Sequence, residues 1–187
     1  MFVAMGLQAL FGRCTTLRCQ ASDIGYLDYV VVPFEKLSLP TKVEVETTAA
    51  NDVHVLIGIE SHSGLELVVN GGAEKASCLR WVRSAPASKT SEAWSMRREI
   101  MCVPYVAEGR IPDEEGFSWK SFSISLDLDG LILVQFPDAE FGNFLPEEPL
   151  NILTRRKDLT ISIGTFYKFE SKWSVCLGDA EKLSKRV

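Results

Sequence analysis

Long apolar runs are missing from this chain. No stretch of about 18 apolar residues occurs, so no segment is expected to cross a membrane as a helix. Excess positive charge is missing too: 20 Lys and Arg stand against 25 Asp and Glu, for a net charge of -5 and a pI near 5.2. Arg97-Arg98, the basic residues at 155–157 and those at 182–186 are short runs balanced by acids. They read as solvated surface, and no nucleic-acid partner is expected. Histidine is scarce, with two in 187 residues. His54 sits in an apolar run and reads as a packed strand residue, and His62 lies in a polar turn. No serine has a Gly-x-Ser-x-Gly context, so a hydrolytic triad has little to be built from.

Cysteine is neither absent nor even in number. The five are Cys14, Cys19, Cys78, Cys102 and Cys176. An odd count argues against a fully paired framework, and most are expected to be buried or free thiols. Cys14 and Cys19 form one close pair with no second pair and no nearby histidine, so no zinc site is expected. The acid groups 113–115, Asp127 with Asp129, and 147–148 lack the regular oxygen spacing of a calcium loop. No metal and no cofactor are expected.

What is present is strand texture. The composition, 46% hydrophobic and 24% charged, is ordinary for one globular domain of this length. Residues 41–48 alternate strictly, with Val43 and Val45 on one face and Lys42, Glu44 and Glu46 on the other. Phe122, Ile124 and Leu126 alternate with Ser123, Ser125 and Asp127, and Leu159, Ile161 and Ile163 share a face. A period of two means a half-buried strand. Further candidates are 27–33, 54–59, 65–69, 78–82, 99–106, 131–136 and 168–176. Asn51-Asp52, Asn70-Gly71-Gly72 and Asp129-Gly130 are turn signals between them.

Polar loops are read at 83–97, 107–118 and 137–151, with a short helical turn allowed from Ser91 to Arg98. No helix is long enough to cross between parallel strands. The pattern predicts an all-β fold, an antiparallel β-sandwich or jelly roll. Residues 1–20 read as an N-terminal extension, a degenerate signal segment or a strand, because the apolar stretch 1–12 precedes rather than follows its basic residues. The sandwich is assigned to 21–178 and a charged tail to 179–187.

Several segments resemble the farnesoic acid O-methyltransferase-like domain of animals, chiefly arthropods. Asn51-Asp52-Val53-His54-Val55-Leu56 is similar to that family's Asn-Asp-Ala-His-Ile signature. The stretch from Leu65 through Gly71-Gly72 to Leu79-Arg80 resembles its Tyr-Glu-Ile-Val-Ile-Gly-Gly-Trp and Ser-x-Ile-Arg segments. Phe122-Ser123-Ile124-Ser125, Asp129-Gly130, the run 161–165 and Trp173 match later pieces in order and spacing, so the resemblance covers about 26–175. The chain departs from the pattern at Gly72, Glu74, Ser123 and Leu126, and 83–97 looks like an insertion. The resemblance implies a β-sandwich module, found alone, beside natterin-type repeats and within secreted macroglobulin-like proteins. The family name implies S-adenosylmethionine and farnesoic acid.

A Rossmann-type methyltransferase needs strand, glycine-rich turn and helix. Gly71-Gly72 has neither a third glycine at the right spacing nor a periodic helix after it. The sequence therefore points to a non-enzymatic recognition module for a carbohydrate or a protein surface. The alternatives are the methyltransferase of the family name and a structural jelly-roll subunit that forms homo-oligomers. Loops at the end of a sandwich are where such modules bind. The candidate binding residues are Asn70, Glu74, Lys75, Arg80, Trp94 and Trp119, with Trp94 and Trp119 in or beside polar loops. Trp81 and Trp173 are expected in the core. Extracellular and cytoplasmic locations both stay open.

Overall fold

Period-two alternation builds the first of two sheets. A computed structural model describes residues 13–20, 29–48, 52–59, 63–71, 76–82, 97–104, 111–112, 118–165 and 170–178. The first sheet runs in the order β1 (Arg13–Gln20), β13 (Glu170–Gly178), β3 (Thr41–Thr47), β9 (Ser118–Leu126), β10 (Leu131–Gln135) and β11 (Glu140–Phe144), and β8 (Ile111–Pro112) pairs with β9. In β3 the residues alternate buried and open to solvent, and Val43 and Val45 point into the core. The Asp129-Gly130 turn closes the β9–β10 hairpin. Gly130 takes φ 83°, a conformation that costs glycine little, and its carbonyl accepts from Leu145 N at 2.8 Å.

The second sheet runs β2 (Val30–Val31), β12 (Thr160–Thr165), β4 (Val53–Ile59), β5 (Ser63–Gly71), β6 (Ala76–Val82) and β7 (Arg97–Val103). Every pairing in both sheets is antiparallel. The inner faces meet in one core. Val43, Ile124 and Val175 come from the first sheet, and Val55, Leu67 and Ile163 from the second. Trp173 and Trp81 lie in that core, 0% and 3% exposed, as the sequence predicts. The fold is the expected antiparallel β-sandwich.

β4 is buried on both faces: five of its seven residues, Val53, His54, Val55, Leu56 and Ile57, are each at most 2% exposed. This is why its sequence reads as a run rather than an alternation. Gly58 faces Gly64 across the β4–β5 pairing, and a Cβ on Gly58 would stand 2.0 Å from Ser63 O. The two backbones approach as closely as they do because neither residue has a side chain.

Three expectations need correction or completion. The loop read at 137–151 holds β11 and the start of helix α1 (Glu147–Thr154). Phe141, Leu145 and Leu153 from this segment enter the core. Pro149 is tolerated because it lies in the first turn, where its missing N–H has no intrahelical acceptor to lose. Glu147 and Glu148 in that turn complement the helix dipole. Four of the five cysteines are not free thiols: Cys14–Cys176 and Cys78–Cys102 are disulfides. Both join residues that face each other across a strand pairing, a proximity that separations of 162 and 24 residues do not reveal. Residues 13–20, within the segment read as extension, signal or strand, form β1. The helical turn read at 91–98 lies outside the described residues up to 96, while Arg97 and Arg98 belong to β7.

Candidate functional site

Strand register gathers polar side chains on the face of the first sheet turned away from the core. One cross-strand row runs Thr16, Ser174, Glu46, Ser121. The next runs Cys14, Cys176, Glu44, Ser123, Gln135. Each residue sits opposite its neighbour, so the rows are arrays spaced by one strand separation, about 4.8 Å. Between them lies a cleft of about 320 Å³ lined by Glu44, Glu46, Ser121, Ser123, Ser174, Cys176, Gln135, Phe136 and Pro137.

The cleft's electrostatics are uneven. Lys42 Nζ lies 2.7 Å from Glu44 Oε1, which offsets one carboxylate. Glu46 has no ion pair among the described residues and is solvent-exposed. Phe136 forms one wall and is held from behind. Its ring is stacked on Phe141 at 6.0 Å and tilted against Phe122 at 5.8 Å. A turn closed by Phe136 N to Ala139 O, 2.7 Å, fixes its backbone. The cleft therefore offers hydroxyls that donate or accept, carboxylates that accept, and a braced apolar ring.

The second sheet carries a buried polar cluster on its face away from the core. Glu66 Oε1 accepts from Tyr29 Oη and lies 2.9 Å from His54 Nδ1. His54 and Glu66 are 2% and 0% exposed. The pair orients the imidazole with Nε2 directed away from the carboxylate, and that Nε2 is buried without a hydrogen bond. Ser162, Leu56, Glu66, Arg80 and Glu99 lie in register on successive strands. Arg80 Nη2 reaches Glu99 Oε1 at 3.6 Å, and Arg80 Nε is buried without a hydrogen bond.

The residues predicted from the sequence are not brought together in the cleft. Arg80 is on the second sheet, half-buried and paired with Glu99. Asn70 lies in β5, between the Val68–Cys78 and Gly71–Ala76 pairs where the register shifts. Trp119 lies in β9, opposite Ile111 of β8. Glu74, Lys75 and Trp94 lie outside the described residues, as do His62, Asn51 and Gly72. Sequence reasoning missed Glu44, Glu46, Ser121, Ser123 and Phe136. The alternation of 41–48 and 122–127 did place the outward faces of β3 and β9 correctly. What it could not supply was that β3 and β9 are neighbours.

The chain matches no family model and no curated protein sequence. Solved structures do resemble it. Galectin LEC-6 of Caenorhabditis elegans aligns over 92% of this chain and 100% of its own, with 11% identity and a TM-score of 0.50. A. japonicus CB05 aligns over 94% of this chain and 28% of its own, with 9% identity and a TM-score of 0.54. The exoplasmic/lumenal domain of VIP36, in its Ca2+/Man3GlcNAc-bound form, aligns over 97% and 85% with 10% identity. Its TM-score of 0.48 is too low to weigh. At such identities the likeness is one of architecture: this chain shares the β-sandwich fold of the galectin, and it matches about a quarter of the length of CB05.

Proposed function

We propose that this chain is a non-enzymatic carbohydrate-binding module, and that the glycan lies in the cleft on the outer face of the first sheet. The observation that carries the reading is the pair of register rows, which set Ser174, Glu46 and Ser121 beside Glu44 and Ser123 along one wall of Phe136. A sugar presents hydroxyls around its rim and C–H groups on its faces. Carboxylates and serines satisfy the rim, and an aromatic ring takes a face. Three adjacent strands span about 10 Å, room for two sugar rings. The galectin-like architecture supports the same reading. With Glu46 unpaired, the cleft disfavours acidic sugars through like-charge repulsion.

The resemblance to the farnesoic acid O-methyltransferase-like domain fits this proposal as module architecture. Among the described residues the antiparallel sheets hold no strand–glycine turn–helix unit of the kind that binds S-adenosylmethionine.

The test is a glycan array followed by calorimetric titration of the strongest binder. Glu46→Ala and Phe136→Ala are each expected to weaken binding by about tenfold or more, the value of one good polar or aromatic contact. Unchanged far-UV circular dichroism would show that the variants fold. A glycan whose affinity neither variant alters would place the site elsewhere. An empty array would reject the reading.

A further inference from the structure

The β6–β7 edge carries three metal-ligating side chains on one face. Cys78 of β6 faces Cys102 of β7, and Arg80 faces Glu99. Between these pairs the register shifts, leaving Ile100 without a partner in β6. Such a bulge re-aims the side chains that follow it. Glu99, opposite Arg80, thereby joins the face of Cys78 and Cys102, since Cys78 and Arg80 are two apart in a strand. One ligand atom from each of Cys78, Glu99 and Cys102 lies within 4.8 Å of the other two. Cys102 and Glu99 are solvent-exposed, and β7 ends the strand order of its sheet. A reductant and a metal ion can both reach them.

We propose that Cys78, Cys102 and Glu99 form a redox-gated site for a thiophilic divalent cation of the zinc class. In the oxidised protein the two sulfurs are joined and cannot bind as thiolates. An external dithiol supplies two electrons and two protons, the S–S bond breaks, and the reductant leaves as its own disulfide. The cation then displaces the two thiol protons and takes both thiolates and the Glu99 carboxylate. Tetrahedral zinc, about 2.3 Å from sulfur and about 2.1 Å from oxygen, sets its ligand atoms roughly 3.5–3.8 Å apart. The three ligand atoms already lie within 4.8 Å of one another, and the two sulfurs, bonded in the disulfide, part to the zinc-set separation once reduced. Its fourth position stays open to water. The Arg80–Glu99 contact, at 3.6 Å longer than a hydrogen bond, is the contact given up on metal capture.

The test uses the full chain reduced by a phosphine, which takes oxygen from water and leaves as its oxide without contributing a thiol. Cobalt(II) is the probe, read by its thiolate-to-metal charge-transfer absorption. One equivalent is expected to bind the reduced protein and none the oxidised protein. Glu99→Ala is expected to weaken binding by at least roughly tenfold. Alkylation of the reduced wild-type protein, followed by peptide mass spectrometry, gives a readout that needs no variant. Zinc is expected to protect Cys78 and Cys102 and to leave Cys14 and Cys176 reactive. Absence of the charge-transfer band, protection confined to Cys14, Cys19 or Cys176, or binding that Glu99→Ala leaves unchanged would each overturn the proposal.

Discussion

Glu66 is a fully buried carboxylate whose Oε1 serves both Tyr29 Oη and His54 Nδ1. Truncating it leaves the buried imidazole without its carboxylate partner and takes one acceptor from the half-buried phenol. Loss of one member of a buried polar pair costs about 3 kcal/mol, because the partner's desolvation is no longer offset. Glu66→Ala is therefore expected to lower the unfolding free energy by about that amount in urea melts. Glu66→Gln, which keeps an acceptor oxygen, is expected to lose less. A change below about 0.5 kcal/mol for the alanine variant would mean the cluster contributes little. The sequence made only half of this cluster readable. His54 in an apolar run signals a packed histidine, and it is one. Glu66, alternating with Leu65 and Leu67, carries the signature of a solvent-facing residue. It does point away from the core, but that face of the second sheet is itself buried, and alternation registers direction rather than depth.

At the level of elements, β3, β9 and β12 were legible from a clean period of two, and β4, β5, β6, β10 and β13 as strand-rich runs between turn signals. β11 and α1 were not. A five-residue edge strand containing glycine and an eight-residue helix with a proline in its first turn carry too few periods to stand out from a polar loop. Beyond the β9–β10 hairpin marked by Asp129-Gly130, the sequence could not tell which strands are neighbours, which is what assembles the cleft and both disulfides. The β4–β5 pairing gives a sharp test of one such contact. A Cβ on Gly58 would meet backbone at 2.0 Å, whereas one on Gly178 meets first the flexible end of Lys42 at 3.1 Å. Gly58→Ala is expected to destabilise by about 2 kcal/mol, or roughly 4–8 °C in Tm. Gly178→Ala is expected to change Tm by no more than about 2 °C, in the range of an ordinary surface substitution. Scanning calorimetry decides; equal effects would refute the close approach.

For the molecule as a whole, the Cys14–Cys176 bond ties the first strand to the last across 162 residues. In the chain-entropy account a loop of that length contributes about 5 kcal/mol by restricting the unfolded chain. It also anchors one wall of the cleft, since Cys176 lines it. A stapled sandwich with a braced, polar outer face is a rigid surface, and rigid surfaces bind with little ordering cost. The central claim is that this face of the first sheet holds a glycan. The most direct test is two-dimensional amide NMR of the labelled protein titrated with the best array ligand. The account predicts shift changes centred on Glu44–Glu46, Ser121–Ser123, Gln135, Phe136 and Ser174. Changes centred on Asn70 and Arg80 of the second sheet would contradict it and would return the site to the residues first read from the sequence.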